Sequence, residues 1–121
     1  MGMDKDAIDA LRKSITINPD FAEAYVPLGA LYEKQGKRPY AKKHYAVAVQ
    51  LYRAESEKDP DNASAAANLA AALFLNDDRA GALDCIAAFL KKHPDDETVQ
   101  RVRTKILARD REGLLHRSSE K

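Results

Sequence analysis

Ala24-Tyr25-Val26-Pro27-Leu28-Gly29-Ala30-Leu31-Tyr32, followed at intervals by Gly36, Ala41, Tyr45 and Ala48, decides the fold. Leu28, Leu31 and Tyr32 recur at the spacing that aligns side chains on one face of an α-helix. Ala66, Leu69 and Leu73 recur in the same way. Gly36 after the first segment and Asn76-Asp77-Asp78 after the second are helix breakers, so each segment is expected to end in a turn.

The segments are copies. Ala7-Ile8, Leu11, Ser14-Ile15 and Ile17 correspond to Ala41-Lys42, Tyr45, Ala48-Val49 and Leu51, each 34 residues later, and Asp59-Pro60-Asp61 corresponds to His93-Pro94-Asp95 at the same offset. Across the middle the offset is 41, from Pro19 to Pro60, Leu28 to Leu69 and Ala41 to Ala82, so seven extra residues lie between Leu51 and Pro60. At about 3.6 residues per turn they amount to roughly two turns, which lengthen a helix while barely rotating its faces. Arg53-Ala54-Glu55-Ser56-Glu57-Lys58 is mostly polar, which predicts a helix end projecting into water.

Ala24-Tyr25-x-x-Leu28-Gly29-x-x-Tyr32, with Gly36, Ala41, Tyr45, Ala48 and a delayed Pro60, resembles a tetratricopeptide repeat with Tyr in place of the leading Trp. The second copy has Ala66, Leu69-Ala70, Leu73, Ala82, Ile86, Phe89 and Pro94; it lacks the first aromatic, replaces the Gly with Ala70, and puts Phe89 where a small residue is usual. The resemblance covers about residues 7–93. It implies an all-α fold, a right-handed superhelical array of antiparallel helix pairs, and a non-catalytic scaffold that binds a protein or peptide.

Six helices are predicted, at about 5–17, 21–35, 38–58, 62–76, 78–92 and 96–112. In domain terms, 1–20 is the second helix of a truncated first repeat and 21–60 a repeat with a lengthened second helix. A further repeat spans 61–94, a capping helix lies within 95–115, and 116–121 is a polar tail. Asp20, Asp61 and Asp95 each follow a proline and are expected to cap the next helix. Pro27 lies within the second helix and predicts a kink or a late start there. The last helix should turn Val99, Val102, Ile106 and Leu107 inward and Arg101, Arg103, Lys105 and Arg109 outward. With its leading helix missing, the first repeat leaves Ile8, Leu11 and Ile15 in need of cover, from earlier repeats or from homo-oligomerisation through the N-terminal helix. A self-assembly segment of a larger repeat protein is therefore the alternative function.

The resemblance also implies a binding groove lined by the leading helices: Val26, Pro27, Ala30 and Lys34, then Ser64, Asn68, Ala71 and Leu75, then Arg101, Lys105 and Arg109. Asn68 matches a groove asparagine of the family, whose amide can bond a ligand backbone. The family's best-known groove clamps a terminal carboxylate with paired Lys, Asn and Arg, but here Val26, Ala30, Thr98 and Val102 occupy those places, which argues against that ligand. The run Ala65 to Ala72 supports close helix packing and close approach of a ligand backbone. Arg101, Lys105 and Arg109 recur every four residues, a stripe suited to an acidic peptide.

Other chemistries find little support. Twenty Lys and Arg against nineteen Asp and Glu give a net charge of +1, too small for a bulk field toward nucleic acid or an anionic membrane. No apolar run approaches the ~20 residues of a membrane span. Cys85 is the single cysteine, which suits a reducing, cytoplasmic setting and is expected to be a buried, inert thiol. His44, His93 and His116 are scattered without metal-ligand or triad spacing, and His44 is expected on a helix surface. Gly29 and Gly36-Lys37-Arg38 have the wrong spacing for a phosphate loop. Neither cofactor nor metal is expected.

Overall fold

Two turns of one construction fold the chain into helix pairs. The computed structural model describes residues 2–109 and 111–115. Helix α2 (Tyr25–Lys34) ends where Gly36 takes φ +77°, so that the Gly36 and Lys37 amides donate to the carbonyls of Glu33 and Tyr32. Helix α4 (Ala63–Leu75) ends identically, with Asp77 at φ +70° and the Asp77 and Asp78 amides donating to Phe74 and Leu73. This is the paired-bond left-handed cap that satisfies the last carbonyls of a helix. Helices α3 (Arg38–Lys58) and α5 (Arg79–Lys92) then run back along their partners.

Helix α1 (Gly2–Ile17) precedes the pairs; α6 (Glu97–Leu107) and a short α7 (Arg111–Leu115) follow them. Successive helices pack on one another, and α4 also packs on α6, which makes α4 the centre of the array. Ten of its residues are buried, from Ala65 to Leu75 with Asn68 excepted. The small side chains of that run let three helices approach it closely. Tyr25, Tyr32 and Tyr45 are core residues, as the repeat pattern requires, and Ile8 of α1 joins Leu28, Tyr32, Tyr45 and Leu75 in one cluster.

Several local expectations are corrected. Asp20, Asp61 and Asp95 do not cap helices; Asn62 accepts from the Ala65 amide at 3.0 Å and Asp96 from the Val99 amide at 2.9 Å, each one residue later than expected. The delay arises because the proline turns close first, with the Asn62 amide on the Asp59 carbonyl and the Asp96 amide on that of His93. Asp61 is engaged instead by His93 Nε2 at 2.9 Å, which ties consecutive repeat turns together. Asp78 caps α5 by accepting from Gly81. Before α2 the chain forms a 3-10 turn, Ala22–Ala24, so Pro27 falls in the first turn of the helix, where its missing amide has no intrahelical partner to lose.

Where the seven extra residues lie, α3 has 21 residues against 14 in α5. Arg53, Ala54, Glu55, Glu57 and Lys58 are exposed, but Ser56 is half-buried, so one side of the extension leans on the array. At the C-terminal end, a single helix to 112 is replaced by two. Arg109 takes φ +57° after α6, and Leu107, expected inward, is 44% exposed while Leu114 is 4% exposed. Burial of Leu114 decides against a continuous helix, which would carry that side chain past the end of the array.

Candidate functional site

The leading helices α2, α4 and α6 stand side by side and leave two recesses between them. The outer one, about 240 Å³, lies between α4 and α6 and is lined by Ser64, Ala67, Asn68, Thr98, Arg101, Val102 and Lys105. The inner one, about 210 Å³, lies between α2 and α4 and is lined by Glu23, Val26, Pro27, Tyr52, Asn68, Ala71 and Leu75. Asn68 lines both. It is the one α4 residue between Ala65 and Leu75 that is not fully buried, because its neighbours on every other face pack against helices.

Of the groove residues expected from the sequence, Ser64, Asn68, Arg101 and Lys105 come together in the outer recess, and Val26, Pro27, Asn68, Ala71 and Leu75 in the inner one. Ala71 and Leu75 contribute floor, at 4% and 0% exposed. Ala30 and Lys34 line neither recess, and Lys34 Nζ lies 3.2 Å from Asp4 of α1. Arg109 is on the turn after α6, so the expected three-residue basic stripe is reduced to Arg101 and Lys105.

What the sequence reading missed is the segment lying in this groove. Leu114 lines both recesses and Leu115 the inner one. At its start Arg111 meets a carboxylate at the end of α2: one guanidinium nitrogen donates to Glu33 Oε1 and Oε2 at 2.8 and 2.7 Å, and another donates to the Leu75 carbonyl at 3.3 Å and stands 3.8 Å from Asp77. Two leucines following a charged run were the available signal, but they fall after the last predicted helix, 96–112, and no groove contact was expected of them.

Glu33 is held in place before Arg111 reaches it. The Tyr45 hydroxyl donates to Oε1 at 2.8 Å, and Arg38 stands 3.1 Å from the same oxygen. Burial, reinforced by the Glu33 bond and charge, pushes the Tyr45 hydroxyl well above its ordinary range, so it remains a donor. Desolvation, the largest single influence, opposes the Arg38 charge, yet the hydrogen bond to Asp77 at 2.7 Å and the charges of Asp77 and Glu33 together outweigh it, and the guanidinium is held more firmly protonated. Asp77 is in turn held below the usual carboxylate range, first by Arg38 and then by Lys42 at 3.2 Å. Two acids thus form a preorganised seat that a further arginine spans, with one nitrogen on Glu33 and the other toward Asp77.

A wider cleft lies between the trailing helices α1 and α3 and shares no lining residue with the two recesses. Lys5, Arg12, Lys37, Lys43 and His44 line it with Tyr32 and Tyr40, and no acid does among the described residues. His44, expected on a surface, is half-buried against the Tyr32 ring, 5.3 Å between centroids, and its Nδ1 lies 2.7 Å from the Tyr40 carbonyl. Cys85 is half-buried, its thiol pushed up by burial.

A tetratricopeptide repeat family model matches residues 40–106, and a TPR repeat model matches residues 1–36. No curated protein matches the sequence. No helix among the described residues is long and apolar enough to cross a membrane.

Proposed function

The chain belongs to the tetratricopeptide repeat family, whose repeats are modules of protein-protein interaction, and on that premise we propose that its concave face binds a peptide segment of a partner protein. The observation that carries the reading is the meeting of two recesses at Asn68, a half-buried amide in the otherwise buried run from Ala65 to Leu75. Methyl groups on either side allow a ligand backbone to come close, and the amide can donate to it and accept from it. Ser64, Thr98, Arg101 and Lys105 form a polar rim around the outer recess.

The test is to select peptides from a random display library against the full chain and to map them by backbone amide shifts. Shifts should concentrate at Ser64, Asn68, Thr98 and Arg101, and Asn68→Arg should weaken binding at least tenfold. Shifts confined to α3 and α5 would reject the concave face as the site.

A second reading concerns an acidic partner. The four cationic side chains of the α1 and α3 cleft, Lys5, Arg12, Lys37 and Lys43, unopposed by any lining acid among the described residues, suit an acidic segment better than Arg101 and Lys105 alone. A glutamate-rich peptide should bind there in low salt and lose affinity on Lys37→Glu with Lys43→Glu; unchanged binding would remove the cleft from consideration. Self-association through α1 has less to work with. Its exposed large apolar residues are Met3 and Ile17, about 21 Å apart along a helix of 1.5 Å rise per residue.

A further inference from the structure

We infer that α7 is an internal stand-in for the ligand: the groove takes a partner segment that presents an arginine and, three residues on, a leucine along one helical turn, and binding displaces α7. The inference rests on the concave face being the binding face and names the chemistry that face selects.

The observations are those of an occupied site. One guanidinium nitrogen of Arg111 donates to both oxygens of Glu33, at 2.8 and 2.7 Å, and another caps the Leu75 carbonyl at the end of α4, while Leu114 lies at the junction of the two recesses and is 4% exposed. The receptor side is built independently of this segment. Glu33 is oriented by Tyr45 and Arg38, and Asp77 by Arg38 and Lys42, all of them residues of α2, α3 and the turn after α4. Removing α7 therefore leaves neither acid without a partner, and the seat remains ready for another guanidinium. The apolar floor of Ala67, Ala71 and Val102 beside Asn68 is the leucine's seat. An acidic segment would bring its carboxylates to Glu33 and Asp77, so charge complementarity selects a basic anchor at this end of the groove. Because α7 is covalently attached, it competes at a high effective concentration, and an incoming segment of equal chemistry binds only weakly until α7 is loosened.

The experiment uses the full chain and a fluorescent synthetic peptide with the sequence of residues 108–115. Anisotropy titration compares the wild-type chain with Arg111→Ala, Leu114→Ala. The peptide should bind the double variant at least tenfold more tightly than the wild type. Adding Glu33→Gln should reverse most of that gain, and replacing the peptide's arginine or leucine by alanine should do the same. Equal affinity for wild type and double variant, or tight binding indifferent to Glu33→Gln, overturns the proposal. Circular dichroism checks the fold of each variant, and Leu114→Ala alone carries the same comparison should the double variant unfold. Library-selected peptides that bind at Asn68 but lack the arginine and leucine, and bind both chains equally, would refute this inference while leaving the concave site standing. Peptides that perturb no groove residue would remove both.

Discussion

In the first helix pair, α2 with α3, a glycine lies beneath a tyrosine ring, and in the second, α4 with α5, an alanine and an isoleucine hold the same two places. A Cβ built on Gly29 would stand 2.6 and 2.8 Å from ring carbons of Tyr45, whose side chain is fully buried. The equivalents 41 residues on are Ala70 and Ile86, at 0% and 1% exposed. A second exchange accompanies the first. Tyr25 on α2 faces the core with the small Ala48 on α3, whereas α4 carries Ala66 and α5 carries Phe89, all four buried in one cluster. The ring has moved from the leading helix to the trailing one. The repeats therefore preserve the volume placed between paired helices and not the identity at each position, which is how packed cores tolerate coordinated change. Phe89, a departure from the pattern when read alone, is one half of such an exchange.

The strongest way to break this comparison is to remove the relocated ring. Phe89→Ala should destabilise the chain by about 3–5 kcal/mol in chemical denaturation, the range for truncating a buried phenylalanine. Adding Ala66→Tyr to that variant should recover at least half, since Tyr25 shows that a ring on the leading helix can be housed and its hydroxyl bonded to the Pro19 carbonyl, six residues upstream, at 2.6 Å. Pro60 stands six residues before Ala66. No recovery would mean that the two repeats are not interchangeable in volume.

A smaller effect is expected at the glycine. Gly29→Ala gains helix propensity of about 1 kcal/mol but forces a fully buried ring to move, and overpacking of this kind costs about 1–3 kcal/mol. A net loss of stability is expected, whereas Ala70→Gly, with no ring above it to accommodate, should lose about 1 kcal/mol by propensity alone. Stabilisation by Gly29→Ala would show that Tyr45 yields easily, and with it the positioning of Glu33.

The same contrast explains what could be read from the sequence. Helix pairs, their period and the seven-residue lengthening of α3 follow from spacings that recur along the chain, such as Leu28 with Leu69 and Ala41 with Ala82. Asn68 and its outer-recess neighbours were legible for the same reason, being positions on a regular helix. Arg111 and Leu114 were not, since their places depend on a left-handed residue, Arg109, that breaks α6, and on a carboxylate 78 residues earlier in the chain. No local pattern encodes a pairing of that range. The caps were misplaced by one residue for a related reason: which of two adjacent polar residues reaches the amides depends on how the proline turn closes.

The smallest effect, and the one that separates the two turns most cleanly, is acid dependence. Gly36 adopts its left-handed conformation without a side chain, while Asp77 adopts it with a carboxylate bonded by Arg38 at 2.7 Å and Lys42 at 3.2 Å. These bonds lower the Asp77 pKa in the folded chain, Arg38 contributing most. A depressed carboxylate pKa adds stability that is complete above the unfolded value, about 3.9, and is lost as pH falls through the folded value. Because Asp77 is 54% exposed in its side chain, screening keeps the effect small, about 1 kcal/mol or less. Asparagine tolerates the same left-handed conformation, so Asp77→Asn removes the charge without changing the turn. Asp61 is also lowered, by its bond from His93, and contributes to acid loss equally in both proteins. The difference in stability between wild type and Asp77→Asn, followed by urea denaturation from pH 6 to pH 3, should therefore be largest at pH 6 and shrink toward pH 3. A difference that stays constant with pH would show that the Asp77 carboxylate holds the turn by its shape alone and that its ion pairs with Arg38 and Lys42 add nothing to the second repeat.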